Sequence, residues 1–115
     1  MENRKINYIE FKSKDIESTK AFYSTVLGWE FVDYGPTYTA FTAPSAGIDG
    51  GFELSENQIQ NGALVVLYHD DLESIRDQIQ SYPATISLDI FSFPGGRRFH
   101  FLDPSGNELA IWSDK

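Results

Sequence analysis

The sequence predicts an α+β fold in which two tandem βαβββ modules form curved mixed sheets around a cavity. A strand, a helix and three further strands can be assigned twice along the chain. The segment KDIES around Asp15 also returns as DDLES around Asp71, an offset of 56 residues. A coincidence of two helix caps is the alternative explanation, but both copies lie between a strand and a helix. The 115 residues suit one domain, with module 1 at about 5–55 and module 2 at about 62–114.

The first module begins with a predicted strand at Ile6–Phe11, which is rich in β-forming residues. Asp15 is a good N-cap, and apolar residues recur behind it at helical spacing up to Gly28, which fits the position just past a helix end. Turn and loop residues then separate three predicted strands, at Trp29–Tyr34, Tyr38–Thr42 and Gly50–Leu54.

The second module repeats this order. An apolar strand is predicted at Ala63–Tyr68, and Asp71 caps a helix whose apolar stripe ends at Tyr82. Pro83 lies just past the predicted end of this helix. Turns rich in glycine and proline then separate three strands, at Thr85–Phe91, Arg97–Leu102 and Glu108–Ser113.

Composition and charge argue against several classes of function. The formal net charge is −8, and basic residues form nothing larger than doublets such as Arg97-Arg98, so nucleic acid is not expected as a partner. The chain has no cysteine, which excludes disulfides, thiol catalysis and zinc–thiolate sites. No apolar run approaches the roughly 18 residues of a membrane helix, and no signal peptide is recognisable. We therefore expect a cytoplasmic protein with no membrane partner.

Several segments resemble a known family. NYIEF at 7–11, FY at 22–23, LGW at 27–29 and FHFLDPSGNEL at 99–109 are similar to segments of the vicinal oxygen chelate (VOC) superfamily, which includes the glyoxalase and bleomycin resistance proteins. GIDGGF at 47–52 and PGGRR at 94–98 further resemble its lactoylglutathione-lyase-related branch. The resemblance spans essentially the whole chain. It implies the glyoxalase/bleomycin resistance fold and leaves the activity open, because one fold hosts many activities.

The resemblance also implies a divalent metal, held in the cavity by His, Glu or Gln from four strands. The matching positions carry Tyr8, Leu64 and Ala110, and the remaining one falls near Phe52 or Leu54. Aliphatic and phenyl side chains cannot coordinate a metal. We therefore expect no metal and no cofactor, which argues against the family's metal-dependent lyase, dioxygenase and thiol-transferase activities.

Strand alternation indicates which side chains face the predicted cavity. Tyr8 shares its face with Glu10, and Ala110 shares its face with Glu108. In family members the positions of Arg98 and His100 also point inward. The expected ligand-binding residues are Tyr8, Leu64, Val66, Tyr68, Arg98, Ala110 and Trp112.

Glu10, His100 and Glu108 are the candidate catalytic residues, because partly buried carboxylates and an imidazole can serve as acid and base. Each has a structural alternative. Glu10 could pair with Arg98 or be solvated. Glu108 could be exposed beside its turn, and His100 could be a hydrogen-bonded core residue. The doublet Arg97-Arg98 could bind an anion or form a local ion pair.

Three functions remain open. The favoured one is the binding of a small, partly aromatic ligand in a metal-free cavity, because the predicted cavity is aromatic and apolar. The alternatives are a glyoxalase-like lyase or isomerase that uses Glu10, His100 or Glu108, and a non-catalytic subunit or regulatory domain. A homodimer is expected, because open sheet edges need covering and 15% of the residues are aromatic.

Overall fold

Two βαβββ units form the fold, as the sequence predicts, and each contains a four-stranded mixed sheet. The structure is a computed structural model that describes residues 2–82 and 84–115. The units meet in sequence between Ile59 and Gln60, within the segment that separates the two predicted modules. No helix in the described ranges is long and apolar enough to cross a membrane.

The elements of the first unit are β1 (Ile9–Ser13), α1 (Ile16–Leu27), β2 (Phe31–Asp33), β3 (Tyr38–Phe41), α2 (Ala43–Ala46) and β4 (Gly50–Leu54). The strand order is β1-β4-β3-β2, with β1 parallel to β4 and the other neighbours antiparallel. The one-turn helix α2 lies where the sequence predicts a loop. Strand β1 starts later than predicted, because its pairing with β4 begins at Ile9 and Gly50.

The elements of the second unit are β5 (Val65–Tyr68), α3 (Leu72–Gln80), β6 (Thr85–Phe93), β7 (Gly96–Leu102) and β8 (Glu108–Ser113). The strand order is β5-β8-β7-β6, and β5 is parallel to β8. Strand β8 has the predicted bounds. Tyr82, predicted on the helix stripe, lies beyond α3. The stop predicted at Pro83 lies outside the described residues.

Both long helices begin where the sequence predicts. The Asp15 carboxylate accepts a hydrogen bond from the Ser18 N–H at 3.0 Å, and the Asp71 carboxylate accepts one from the Ser74 N–H at 3.1 Å. Gly28 ends α1 with a φ of 71°, a left-handed conformation that favours glycine. The repeated motif is therefore a pair of equivalent helix caps, one in each unit.

In each unit the helix covers one face of the sheet, and we call the opposite face the distal face. In the first unit, the ring of Tyr23 in α1 lies 5.0 Å from that of Phe52 in β4, and neither ring has exposed surface. In the second, Ile79 of α3 and Phe99 of β7 are fully buried. Because side chains alternate along a strand, the residues that flank Phe52 and Phe99 lie on the distal faces.

Two features fix the hairpin of β7 and β8. The buried carboxylate of Asp103 accepts hydrogen bonds from the backbone N–H groups of residues 105–107, each at 2.9 Å. The DPSGN segment is thus a structural turn. At the other end, Gly96 lies against the carbonyl of Ser113, where a Cβ would overlap the backbone. A side chain is therefore excluded at position 96.

Candidate functional site

Tyr38 organises the distal face of the first unit. Its ring lies over Gly51, where a Cβ would overlap the ring and the hydroxyl. The Tyr38 hydroxyl donates to Glu10 Oε1 at 3.0 Å, so the Tyr8 hydroxyl, 2.6 Å away, donates to Tyr38. Burial, followed by these two partners, raises the pKa of Tyr38. Lys12 lies 3.5 Å from Glu10 and is closer to Glu53, so the two carboxylates share this cation. The predicted residues Tyr8 and Glu10 therefore belong to one connected network.

The register of the two sheets locates the fourth position at which the family would place a metal ligand. Ala110 pairs with Val66 in the second unit, and the equivalent pair in the first unit is Gly51 with Glu10. The sequence places this position near Phe52 or Leu54. Phe52 itself faces α1 and has no exposed surface, and the register points to its neighbour. Gly51 is therefore the matched position.

The four matched positions do not fit a divalent metal. Tyr8 offers a phenol at the first position, whereas Leu64, Ala110 and Gly51 offer no donor atom. The Tyr8 hydroxyl already bonds to Tyr38, whose ring fills the space over Gly51. Within residues 2–82 and 84–115, no three His, Cys, Asp or Glu side chains form a group that could hold an ion.

The distal face of the second unit brings together most of the predicted site residues. Strand pairing places seven of them there: Val66, Tyr68, Arg98, His100, Glu108, Ala110 and Trp112. Ala110 has no exposed surface, whereas Val66 and Tyr68 are 43% and 49% exposed. Leu64 precedes β5 and is also exposed.

Aromatic rings run across this distal face. The centroids of Tyr68 and Trp112 are 5.3 Å apart, and Phe93 lies 6.5 Å from Trp112 and 6.5 Å from Phe91. The Phe91 ring in turn lies 6.0 Å from the imidazole of His100. We call Tyr68, Phe91, Phe93 and Trp112 the aromatic face. None of the four is fully buried, so their rings can contact a planar ligand.

The two consecutive arginines of β7 lie on opposite faces of the sheet. Arg97 lies on the α3 side, where its hydrogen bonds to Glu73 lower the pKa of that carboxyl to about 2. The Arg98 Cζ lies 5.3 Å from the ring centroid of Phe91 and 5.7 Å from that of Phe93. Its Nε is buried and has no hydrogen-bond partner among the described residues. Within the doublet, Arg97 therefore forms the local ion pair, and its partner is Glu73.

His100 is positioned by Glu108. Its Nδ1 lies 3.3 Å from Glu108 Oε2, which also accepts a hydrogen bond from the Ser87 hydroxyl at 3.2 Å. His100 is 9% exposed, and its Nε2 is buried without a hydrogen-bond partner in the part of the chain that the structure describes. An unpaired buried polar group costs about 1–3 kcal/mol, and no described residue compensates this cost at His100 Nε2. Glu108 is half-buried by these partners.

Sequence reasoning misses Tyr38, Phe91 and Phe93. The position of Tyr38 depends on Gly51 in the neighbouring strand, and this contact cannot be predicted until the register of β3 and β4 is known. The i, i+2 spacing of Phe91 and Phe93 was a usable signal for one shared face. However, β6 has register shifts between Ile86 and Leu88 and between Leu88 and Phe91, so alternation from its start is unreliable.

The fold defines a class of protein: two βαβββ units, each with a mixed sheet, are the architecture of the VOC proteins. The family model of the Glyoxalase/Bleomycin resistance protein/Dioxygenase superfamily matches residues 5–111, and the chain therefore belongs to this superfamily. No curated protein matches the sequence.

Solved structures of the superfamily share the fold at low identity. A glyoxalase/bleomycin resistance protein/dioxygenase family enzyme from Burkholderia phytofirmans is 16% identical with a TM-score of 0.81, covering 95% of this chain and 98% of that one. The fosfomycin resistance protein FosX from Listeria monocytogenes, solved with Mn(II), is 15% identical with a TM-score of 0.81, at 96% and 90% coverage. A lactoylglutathione lyase from Agrobacterium tumefaciens is 16% identical with a TM-score of 0.70, at 96% and 93% coverage.

Proposed function

We propose that the chain binds a small, partly aromatic ligand at the aromatic face of the second unit, without a metal. The observation that carries this proposal is the buried Nε2 of His100, which is unpartnered among the described residues and lies in a ring beside Phe91. The aromatic rings would stack against the ligand, and the few polar atoms would fix its orientation. That Tyr8 and Leu64 also contact the ligand stays a prediction.

Tryptophan fluorescence tests this proposal. The chain has two tryptophans, so the Trp29→Phe variant leaves Trp112 of the aromatic face as the sole reporter. Titration with naphthylmethanol should change its emission saturably, and equally with and without a chelator. Phe93→Ala should weaken binding, whereas Tyr34→Ala should not, because Tyr34 is a 67% exposed aromatic residue of the first unit. Unchanged emission, or binding only after metal is added, would contradict the proposal.

A second candidate function is acid–base catalysis by His100, as in a metal-free lyase or isomerase. It is supported by the contact between His100 Nδ1 and Glu108 Oε2, because a carboxylate that orients an imidazole is a common arrangement of a general base. Proton abstraction next to a carbonyl can be followed by NMR as uptake of solvent deuterium into small 2-oxo aldehydes. Exchange that is lost in His100→Asn would favour catalysis. If exchange is no faster than in buffer alone, ligand binding or a regulatory role remains as the function.

We further propose a cytoplasmic homodimer without nucleic-acid or membrane partners, whose chain acts as one domain. Each sheet has two edge strands, which are exposed to pairing unless covered, and this supports dimerisation. The opposing effect is the charge of −8 on each copy. Sedimentation at micromolar concentration distinguishes a dimer from a species near the monomer mass of 13.0 kDa. A single cooperative unfolding transition would support one domain.

A further inference from the structure

Arg98 differs from the other arginine and lysine residues on the two sheets and their helices. The chain has 17 acidic and 9 basic residues, so carboxylate partners are plentiful. Four cations do bind carboxylates: Lys12, Lys20, Arg76 and Arg97. Across residues 2–82 and 84–115, no ion pair is found for Arg98, which contacts Phe91 and Phe93 instead. Resting on the function proposed above, we propose that Arg98 binds an anionic group and that the ligand is a small aromatic monocarboxylic acid.

The position of Arg98 suits this role. Its guanidinium lies over two rings of the aromatic face, so its orientation is restricted before a ligand arrives. The planar fork of a guanidinium matches the two oxygens of a carboxylate and binds them in a bidentate manner. A ligand whose carboxylate meets Arg98 therefore has its ring next to aromatic side chains.

The charges on this face favour a single carboxylate over a phosphate or a dicarboxylate. Arg98 is the one lysine or arginine that strands β5 to β8 place there, because Arg97 faces α3. Lys115, which interacts with Tyr68 at the other end of the face, lies 3.8 Å from the Asp114 carboxylate. Glu108 adds a negative charge beside His100 and disfavours a second anionic group at that end. The net charge of −8 repels anions in general, so preferential binding of an acid requires a local cation.

Two probes of similar shape and different charge test the proposal: naphthoate and naphthylmethanol. Binding is measured by calorimetry, and the contact surface is mapped by NMR shifts of the aromatic resonances. A charge-assisted hydrogen bond changes affinity by about 10- to 100-fold, so naphthoate should bind at least about tenfold more tightly than the alcohol. Arg98→Gln should abolish this preference. Arg97→Gln removes the same charge from the adjacent residue on the other face, and should leave the preference unchanged.

The outcomes separate this inference from the proposed function. Equal binding of both probes, with shifts at the aromatic face, would overturn the aromatic-acid inference and leave ligand binding standing. A preference for naphthoate that survives Arg98→Gln, or disappears equally in Arg97→Gln, would assign the effect to another charge and overturn the role of Arg98. Binding of neither probe at millimolar concentration would overturn both proposals.

Discussion

Replacing Gly51 with alanine tests how firmly Tyr38 is held over the first sheet. The added Cβ would overlap the Tyr38 ring and hydroxyl, which hydrogen bonds fix to Tyr8 at 2.6 Å and to Glu10 at 3.0 Å. The ring must therefore move. Displacing the ring breaks these two hydrogen bonds, each worth about 0.5–1.5 kcal/mol, so the total cost is about 1–3 kcal/mol. We expect the free energy of unfolding to fall by that amount, measured by urea denaturation with an unchanged m-value.

Repeating the Gly51→Ala substitution in a second variant tests whether Tyr38 causes the loss of stability. In the Tyr38→Ala variant the overlapping atoms are absent, so Gly51→Ala should change stability by less than about 0.5 kcal/mol there. Gly62→Ala is the matched control, because a Cβ at Gly62 meets no atom within 4 Å. The same cost of Gly51→Ala in both backgrounds would refute the reasoning, since the penalty would then arise from the backbone and not from Tyr38.

Further predictions concern the core, pH and metal content. Phe22→Ala removes a fully buried ring of α1 and should cost about 3–5 kcal/mol, whereas Glu56→Ala at an exposed position should cost under about 0.5 kcal/mol; equal costs would contradict the assigned core. The pKa of Glu73 is lowered from 4.5 to about 2 in the folded state, so its contribution is complete above the unfolded pKa and is lost as pH falls through the folded pKa. The stability difference between the wild type and Arg97→Gln should therefore shrink between these two pH values, and a constant difference would exclude the ion pair as its cause. Elemental analysis of protein purified without chelator should show well under one equivalent of divalent metal; a stoichiometric ion would disprove the argument from the donor set.

Local signals in the sequence predict most of the fold. The caps at Asp15 and Asp71 and the left-handed Gly28 depend on short-range hydrogen bonds and backbone conformation, so sequence alone locates them. The sequence predicts strand β8 with its observed bounds, because turn residues delimit it sharply. It misplaces the start of β1, since Ile6 is a β-forming residue but is 80% exposed and lies outside the pairing with β4.

The site is harder to predict because it depends on the register between strands. Alternation correctly separates Arg98 from its neighbour, but whether either arginine has a carboxylate partner depends on where α3 places Glu73. The network around Tyr38 likewise requires the pairing of β3 with β4, which brings a glycine under the ring. No pattern within one segment reports such contacts between segments.

Gly96 has a consequence for the chemistry of the aromatic face. A shift of β7 by one residue would exchange the two arginines, moving Arg98 towards α3 and Arg97 to the distal face. The shift that brings Arg97 into the place of Gly96 would drive its Cβ into the Ser113 carbonyl. Gly96 thus penalises one misaligned form of the hairpin, which would have the same composition and net charge as the observed hairpin. A residue with no side chain thereby helps to decide which of two chemically equivalent cations lies on the aromatic face and which pairs with Glu73 of α3.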